Sequence, residues 1–320
     1  MSFPVSLAAA AGLLALVPQY SLENTNILGY AEESRLVDYN RLRADITVTH
    51  EQHEAFAARL IIDNEAAYIQ QPYSLTDDTL IYRGYLEYRG ETHFWTIGRQ
   101  RIPLGVGRVW NPIDIFNPIN SQSVEPQERP GTEALRYEYA VSRLAGLDCT
   151  LSRDKGEARL KGYLDFADVA LVGLYDNEAK RDIIGWELEG ELFGTGIELR
   201  SEGGRFHDDA ANSRHTAFIA GAEYGFANSL TVLGEYRFSD ETQSDDLAVS
   251  LSFQPKILWT VTCLAVQSLN DQSFFVTPAV EYSAGDEMTV SAGAFLYHGS
   301  SRDVYGPYPD YVYLRWFVHF

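Results

Sequence analysis

The chain has 320 residues, with 45 Asp and Glu against 25 Lys and Arg and a formal charge of −20. Such an acidic chain lacks the basic footprint of a nucleic-acid binder, and it has no apolar run of the roughly 18 residues needed for a transmembrane helix. The two cysteines, Cys149 and Cys263, have no metal-type spacing, and no cofactor is implied.

Residues 1–22 come first. From Val5 to Val17 they are apolar and small, the length of a signal-peptide core although the basic flank is missing. A signal segment is expected there, the alternative being a buried apolar helix, and 23–320 is read as one domain. From residue 25 onward period-2 alternation dominates. Candidate strands fall at 25–35, 40–50, 54–63, 79–89, 92–101, 133–141, 144–153, 157–165, 168–176, 181–192, 195–205, 214–224, 229–239, 244–254, 257–268, 273–283, 287–298 and 310–320. That makes eighteen strands, with 16 also compatible, each near the length of a tilted membrane strand.

The alternation places charge on one face and apolar or aromatic side chains on the other. Along 79–89, Leu80, Tyr82, Leu86 and Tyr88 oppose Arg83, Glu87 and Arg89. Along 157–165, Leu160 and Leu164 oppose Arg159 and Lys161, and along 181–192, Ile184, Trp186 and Leu188 oppose Glu187, Glu189 and Glu191. In 229–239, Tyr236 and Phe238 oppose Glu235 and Arg237. The even-numbered connections are short, while 64–78, 102–132, 204–214, 239–246 and 299–309 read as longer polar loops. The chain ends on "YVYLRWFVHF", an unbroken apolar face from Val312 through Trp316 to Phe320. That ending resembles the signature that the assembly machinery of bacterial outer-membrane barrels reads. In lipid every backbone group needs an internal partner, so a sheet must close on itself, apolar outside and wet inside. The fold expected is therefore an all-β, transmembrane, antiparallel up-and-down barrel in the outer membrane, with short periplasmic turns and long extracellular loops.

The connection 102–132 is the longest. Its entry, "GRQRIPLGVGRVWNPIDIFNP", lacks the Lys and hydroxyl of a phosphate loop and cannot continue into a helix past Pro112 and Pro118. A loop this long and apolar has a role. It folds back as a constriction or plug, or it caps the mouth. Trp110, Asn111, Asp114, Phe116 and Asn117 are the candidates for a constriction. No catalytic set emerges: there is no Gly-x-Ser-x-Gly elbow, and neither cysteine has a nearby His. The His50/His53 turn reads as solvated rather than metal-binding. The chain is read as a non-enzyme.

Strand parity sends Arg83, Arg89, Arg136, Arg159, Lys161 and Arg237 inward with Glu187, Glu189 and Glu191. With Arg101 and Arg108 of the loop these are the candidates for pore lining and selectivity. Arg99 is a further candidate whose face parity leaves open, because Trp95 and Ile97 share it and Gln100 takes the other. "FWTIGRQRIPLGVGRVW…EALRYEY" is similar to the Gly-Arg-Gln segment of porin-like barrels related to the alginate-export family. The resemblance maps to Gly98, Arg99, Gln100, Gly105, Gly107, Arg108, Glu133 and Arg136. It implies an eighteen-stranded barrel that passes polar or anionic solutes between arginines, and the acidic loops and lumenal Glu here depart from it. The expected function is a porin-like channel for small polar or anionic solutes. The alternative is a barrel sleeve holding a periplasmic or export partner, such as a cytochrome. The expected surroundings are the lipid bilayer and the barrel assembly machinery, with homo-oligomers open.

Overall fold

The computed structural model describes residues 16–31, 35–50, 55–70 and 73–320. They form one 18-stranded antiparallel sheet that closes on itself, each strand pairing with its chain neighbours and β1 with β18. The strands are β1 Leu16–Ala31, β2 Arg35–His50, β3 Phe56–Ile69, β4 Ser74–Arg89, β5 His93–Gln100, β6 Thr132–Ser142, β7 Ala145–Ser152, β8 Lys155–Tyr163 and β9 Asp168–Asp176. They continue as β10 Arg181–Glu191, β11 Ile197–Asp208, β12 Ser213–Gly225, β13 Leu230–Ser239, β14 Ser244–Lys256, β15 Trp259–Ser268, β16 Phe274–Gly285, β17 Met288–His298 and β18 Tyr311–His319. Closure completes the backbone ladder: Glu23 faces His319, and Phe320 N donates to Leu22 O at 2.8 Å.

Burial follows the pleat. Along β10, Ile183 and Glu187 are buried, whereas Ile184 (77 % exposed), Trp186 and Leu188 point outward. The same holds at the last strand, where Val312, Leu314 and Phe320 are exposed on the outer face. An apolar outside over a polar inside fits lipid and not water.

The strands run further than the sequence indicated. The segments 64–78 and 204–214, expected as loops, are mostly strand, so β11 and β12 meet across 209–212; 239–246 is half strand, and β13 and β14 meet across 240–243. Strand ends standing beyond the apolar band meet water on both faces and lose their hydropathy alternation, which hid them. Two long connections remain among the described residues, 101–131 and 299–310, both at the end opposite Leu16 and Phe320. Most of the signal segment expected at 1–22 lies outside the described residues, as does the turn 51–54. Leu16 to Leu22 extend β1 against His50 to Ala44 of β2.

Tyr82 corrects the face assigned to it. The β3–β4 register jumps so that Ile61 faces Arg83 while Ile62 faces Ile81. Tyr82 is the extra residue of a β-bulge, which re-aims a side chain. It is buried against Arg43, whose guanidinium carbon lies 4.1 Å from the ring centroid, while Ile81 points outward at 50 % exposure.

Candidate solute path

The long connection lies inside the barrel. Gln100 ends β5 by donating from Nε2 to Ala134 O at 3.0 Å. The chain then turns off the wall, with Gly105 at φ 82 lying against Glu202 where a side chain would collide. Six successive amides are taken by wall carboxylates. Glu187 on β10 accepts from Gly105 N at 2.7 Å, and Glu202 on β11 accepts from Val106 N and, at 2.9 Å, from Gly107 N. Glu235 on β13 accepts from Arg108 N (2.9 Å), Val109 N (3.1 Å) and Trp110 N (2.9 Å). A buried segment without regular structure must find acceptors for its N–H groups, and ionised acceptors make the stronger bonds.

Apolar contacts fill the space between these bonds. Ile102, Leu104, Ile113 and Phe116 pack on Val172, Leu174, Ile183 and Phe206 of the wall. Val109 and Trp110 pack on Ile219, Leu233, Val266 and Phe275, joined by Tyr305 from the second long connection. Asn117 staples the loop ends together, its Oδ1 accepting from Ile102 N at 2.9 Å and its Nδ2 donating to Pro130 O at 2.5 Å. The far arm reaches the opposite wall: Arg41 and Arg315 each donate to Glu125 at 3.0 Å, and Arg43 donates to Glu128 at 3.0 Å and to Asp63 at 2.7 Å. Burial would raise the Glu128 carboxyl, but the Arg43 bond and the Arg41 charge outweigh it and hold it low. Anchored on both sides, the loop spans the lumen.

Asp114 turns the loop at its deepest point, its Oδ1 accepting from Phe116 N at 3.0 Å and Asn117 N at 2.8 Å. Burial pushes its carboxyl up to about 6, against those bonds and the Arg129 charge. A raised acid favours the folded loop when protonated. Its contribution is complete below the ordinary value of 3.8 and is lost as pH rises through about 6. Loop-dependent channel closures are therefore expected to differ between pH 5 and pH 7 in the wild type, with the loop held more firmly at pH 5. In Asp114→Asn single-channel records the difference across that range is smaller.

What remains open is lined by arginine. Beside the loop a space of about 160 Å3 is bounded by Arg101, Arg108, Arg129, Gln127 and Glu189. A chamber of about 670 Å3 adjoins it through Arg101 and is walled by Arg59, Arg83, Arg89 and Arg136 against Glu87 and Glu138. Arg101 makes no ion pair among the described residues. Burial and the neighbouring Arg101 charge lower the Arg129 guanidinium. Arg83 donates to Arg129 O at 2.9 Å, and its Nη1 and Arg129 Nε are buried without partners. The exposed surplus is positive and is carried by Arg101 and Arg108.

Other candidates are spent on structure. Arg136, Arg159 and Lys161 converge on Asp148 at 2.6, 2.8 and 3.3 Å, and Arg159 also meets Glu187 at 3.1 Å. Arg237 pairs with Asp246 at 2.7 Å and lies over the Trp110 ring. Arg89 pairs with Glu87, and Glu189 with Arg108 at 3.4 Å. Glu191 accepts from Gly196 N at 2.8 Å and caps the β10–β11 turn instead of facing the path. Trp110 and Phe116 are buried in wall contacts, while Asn111, which donates to Gly107 O and Glu202, borders the opening together with the loop's arginines. Arg99 is on the outer wall. Gln100 takes the inward position, leaving Arg99 beside Ile97 and paired with Glu133 at 3.2 Å. Arg129, Glu202, Glu125 and Glu128 were missed. Inward parity on β11 offered a signal for Glu202, but nothing local marks the other three.

No family model and no curated protein matches the chain. Solved structures do. OccK5 (OpdH) of Pseudomonas aeruginosa superposes with a TM-score of 0.67 at 10% identity, covering 95% of this chain and 97% of its own. OccK7 (OpdD) of the same organism gives 0.64 at 10% identity, covering 95% and 98%. A mutant porin of Rh. blastica gives 0.57 at 11% identity, covering 95% and 100%. The chain thus has the closed-barrel fold of outer-membrane porins.

Proposed function

We propose that this protein is an integral outer-membrane channel for small polar solutes, favouring anions, and that it is not an enzyme. The observation carrying this reading is the arginine-lined opening left beside a loop clamped across the lumen. A positive surplus facing water raises the local concentration of anions, and the exposed guanidinium of Arg101 offers donors in place of lost hydration. The outward stripe from Val312 through Trp316 to Phe320 serves as the signal for the barrel assembly machinery. Purified protein in planar bilayers is expected to conduct, with a reversal potential under a salt gradient that has the sign of anion preference. Arg108→Ala is expected to enlarge the conductance modestly, because Arg108 is 53% exposed in the opening. A folded barrel that never conducts would overturn the reading.

A further inference from the structure

The wall is uneven at the loop end. β4 pairs with β3 from Ser74 opposite Ile69 down to Tyr88 opposite Phe56, but with β5 only from Gly84 to Arg89. β5 stops at Gln100, where the chain leaves for the lumen. Ser74 to Leu80 are therefore an edge strand in an otherwise closed barrel, and alternate backbone groups along it face a notch. At the floor of the notch, Arg99 Nη1 donates to Ile81 O at 2.8 Å, a side chain filling the place of the missing strand. Above it, Ser74 to Leu80 make no backbone hydrogen bond except to β3 among the described residues.

This edge stands clear of lipid. β4 has 16 residues. At about 3.3 Å each and a tilt near 40° such a strand rises roughly 40 Å, against an apolar band of about 25 Å. Leu75 to Thr79 are all exposed, Leu75 at 64 %. Asp77 accepts from Asn64 Nδ2, and neither Asp77 nor Asp78 forms an ion pair among the described residues. A second copy pairing through the same edge would set these carboxylates against each other, which is destabilising. An extended segment bearing cations meets both the free backbone and the charge.

We propose that the notch receives an extended segment of a partner polypeptide, added as a strand to Ser74–Leu80 with Lys or Arg opposite Asp77 and Asp78. Main-chain bonds supply affinity in such strand addition, and side chains supply the choice of partner. The probe is a ten-residue peptide of valines around a central Lys-Lys pair, which puts one cation on each face of the added strand, titrated against the full chain in detergent micelles. Its controls are the same peptide N-methylated at alternate valines, and the double variant Asp77→Asn/Asp78→Asn, whose exposed positions leave the barrel intact. Saturable binding that weakens by about tenfold with each change is expected. Loss in the double variant alone shows surface charge attraction and overturns the proposal. Binding indifferent to both changes is lumenal and also overturns it, as does no binding. A dimer cross-linked through Thr76→Cys assigns the edge to a second copy and overturns the partner.

Discussion

Replacing residues 104–128 with a short Gly-Ser linker raises single-channel conductance by about five- to tenfold, because the loop and not the wall sets the narrowest section. Eighteen strands spaced about 4.8 Å apart and tilted near 40° enclose a backbone cylinder of roughly 18 Å radius. Lumenal side chains leave a wide aqueous bore, and the loop reduces it to the arginine-lined opening. The barrel survives the deletion for a specific reason. Glu187, Glu202 and Glu235 lose the amides of 105–110, and Arg41 and Arg43 lose Glu125 and Glu128. Water floods the emptied lumen and hydrates all of them, so the cost of a buried unpaired charge never arises. The sheet ladder itself is untouched. A milder test keeps the loop and weakens its hold. Glu202→Gln/Glu235→Gln removes the charge from these bonds and, because Glu235 accepts on both oxygens, leaves an amide of 108–110 facing an NH2 group; excess open-channel noise is the expected trace. Unchanged conductance in the deletion and quiet records in the double variant would remove the loop from the conduction path.

The barrel was legible because its cause is periodic. Lipid on one face and water on the other impose alternation on every strand, so Ile184, Trp186 and Leu188 declare their side locally. The departures have local causes too. The bulge at Tyr82 inserts one residue and reverses parity above it, and no pattern in "LIYRGY" announces it. Arg99 shares parity with Trp95 and Ile97, and the structure follows parity. The loop's entry into the lumen could be anticipated from its apolar content. Its anchors could not: Val106 and Glu202 are 96 positions apart, and Arg315 and Glu125 are 190 apart. Charges that read as a selectivity ladder on the strands proved, for Glu187, Arg159 and Lys161, to be fixtures for one another and for the loop. At the opening Arg101 is left without an ion pair among the described residues, Arg108 stays half-exposed beside Glu189, and Arg129 is held to Asp114 at 3.5 Å, all three within the loop.

Arg101→Glu/Arg108→Glu is expected to turn the anion preference into a cation preference. Two unit charges 4 Å apart interact by about 1 kcal/mol in bulk water and about 4 kcal/mol at the effective dielectric of a protein surface. Reversing two charges at an opening this narrow therefore shifts the anion-to-cation permeability ratio by at least about tenfold. Neither substitution dismantles the loop. Arg101 is exposed and makes no ion pair among the described residues, and Arg108, although it loses its pair with Glu189, keeps its backbone amide on Glu235. Salt separates this effect from a change of pore size. The screening length is about 10 Å at 0.1 M and about 3 Å at 1 M, so the reversal is full in dilute salt and fades in concentrated salt. The outer wall supplies the control. Arg99→Gln removes a positive charge two residues from Arg101, yet on the lipid side of the sheet beside Glu133. Its reversal potential matches the wild type. If Arg99→Gln moved the selectivity as far as the Arg101 substitution does, charge at the opening would not be what the solute reads.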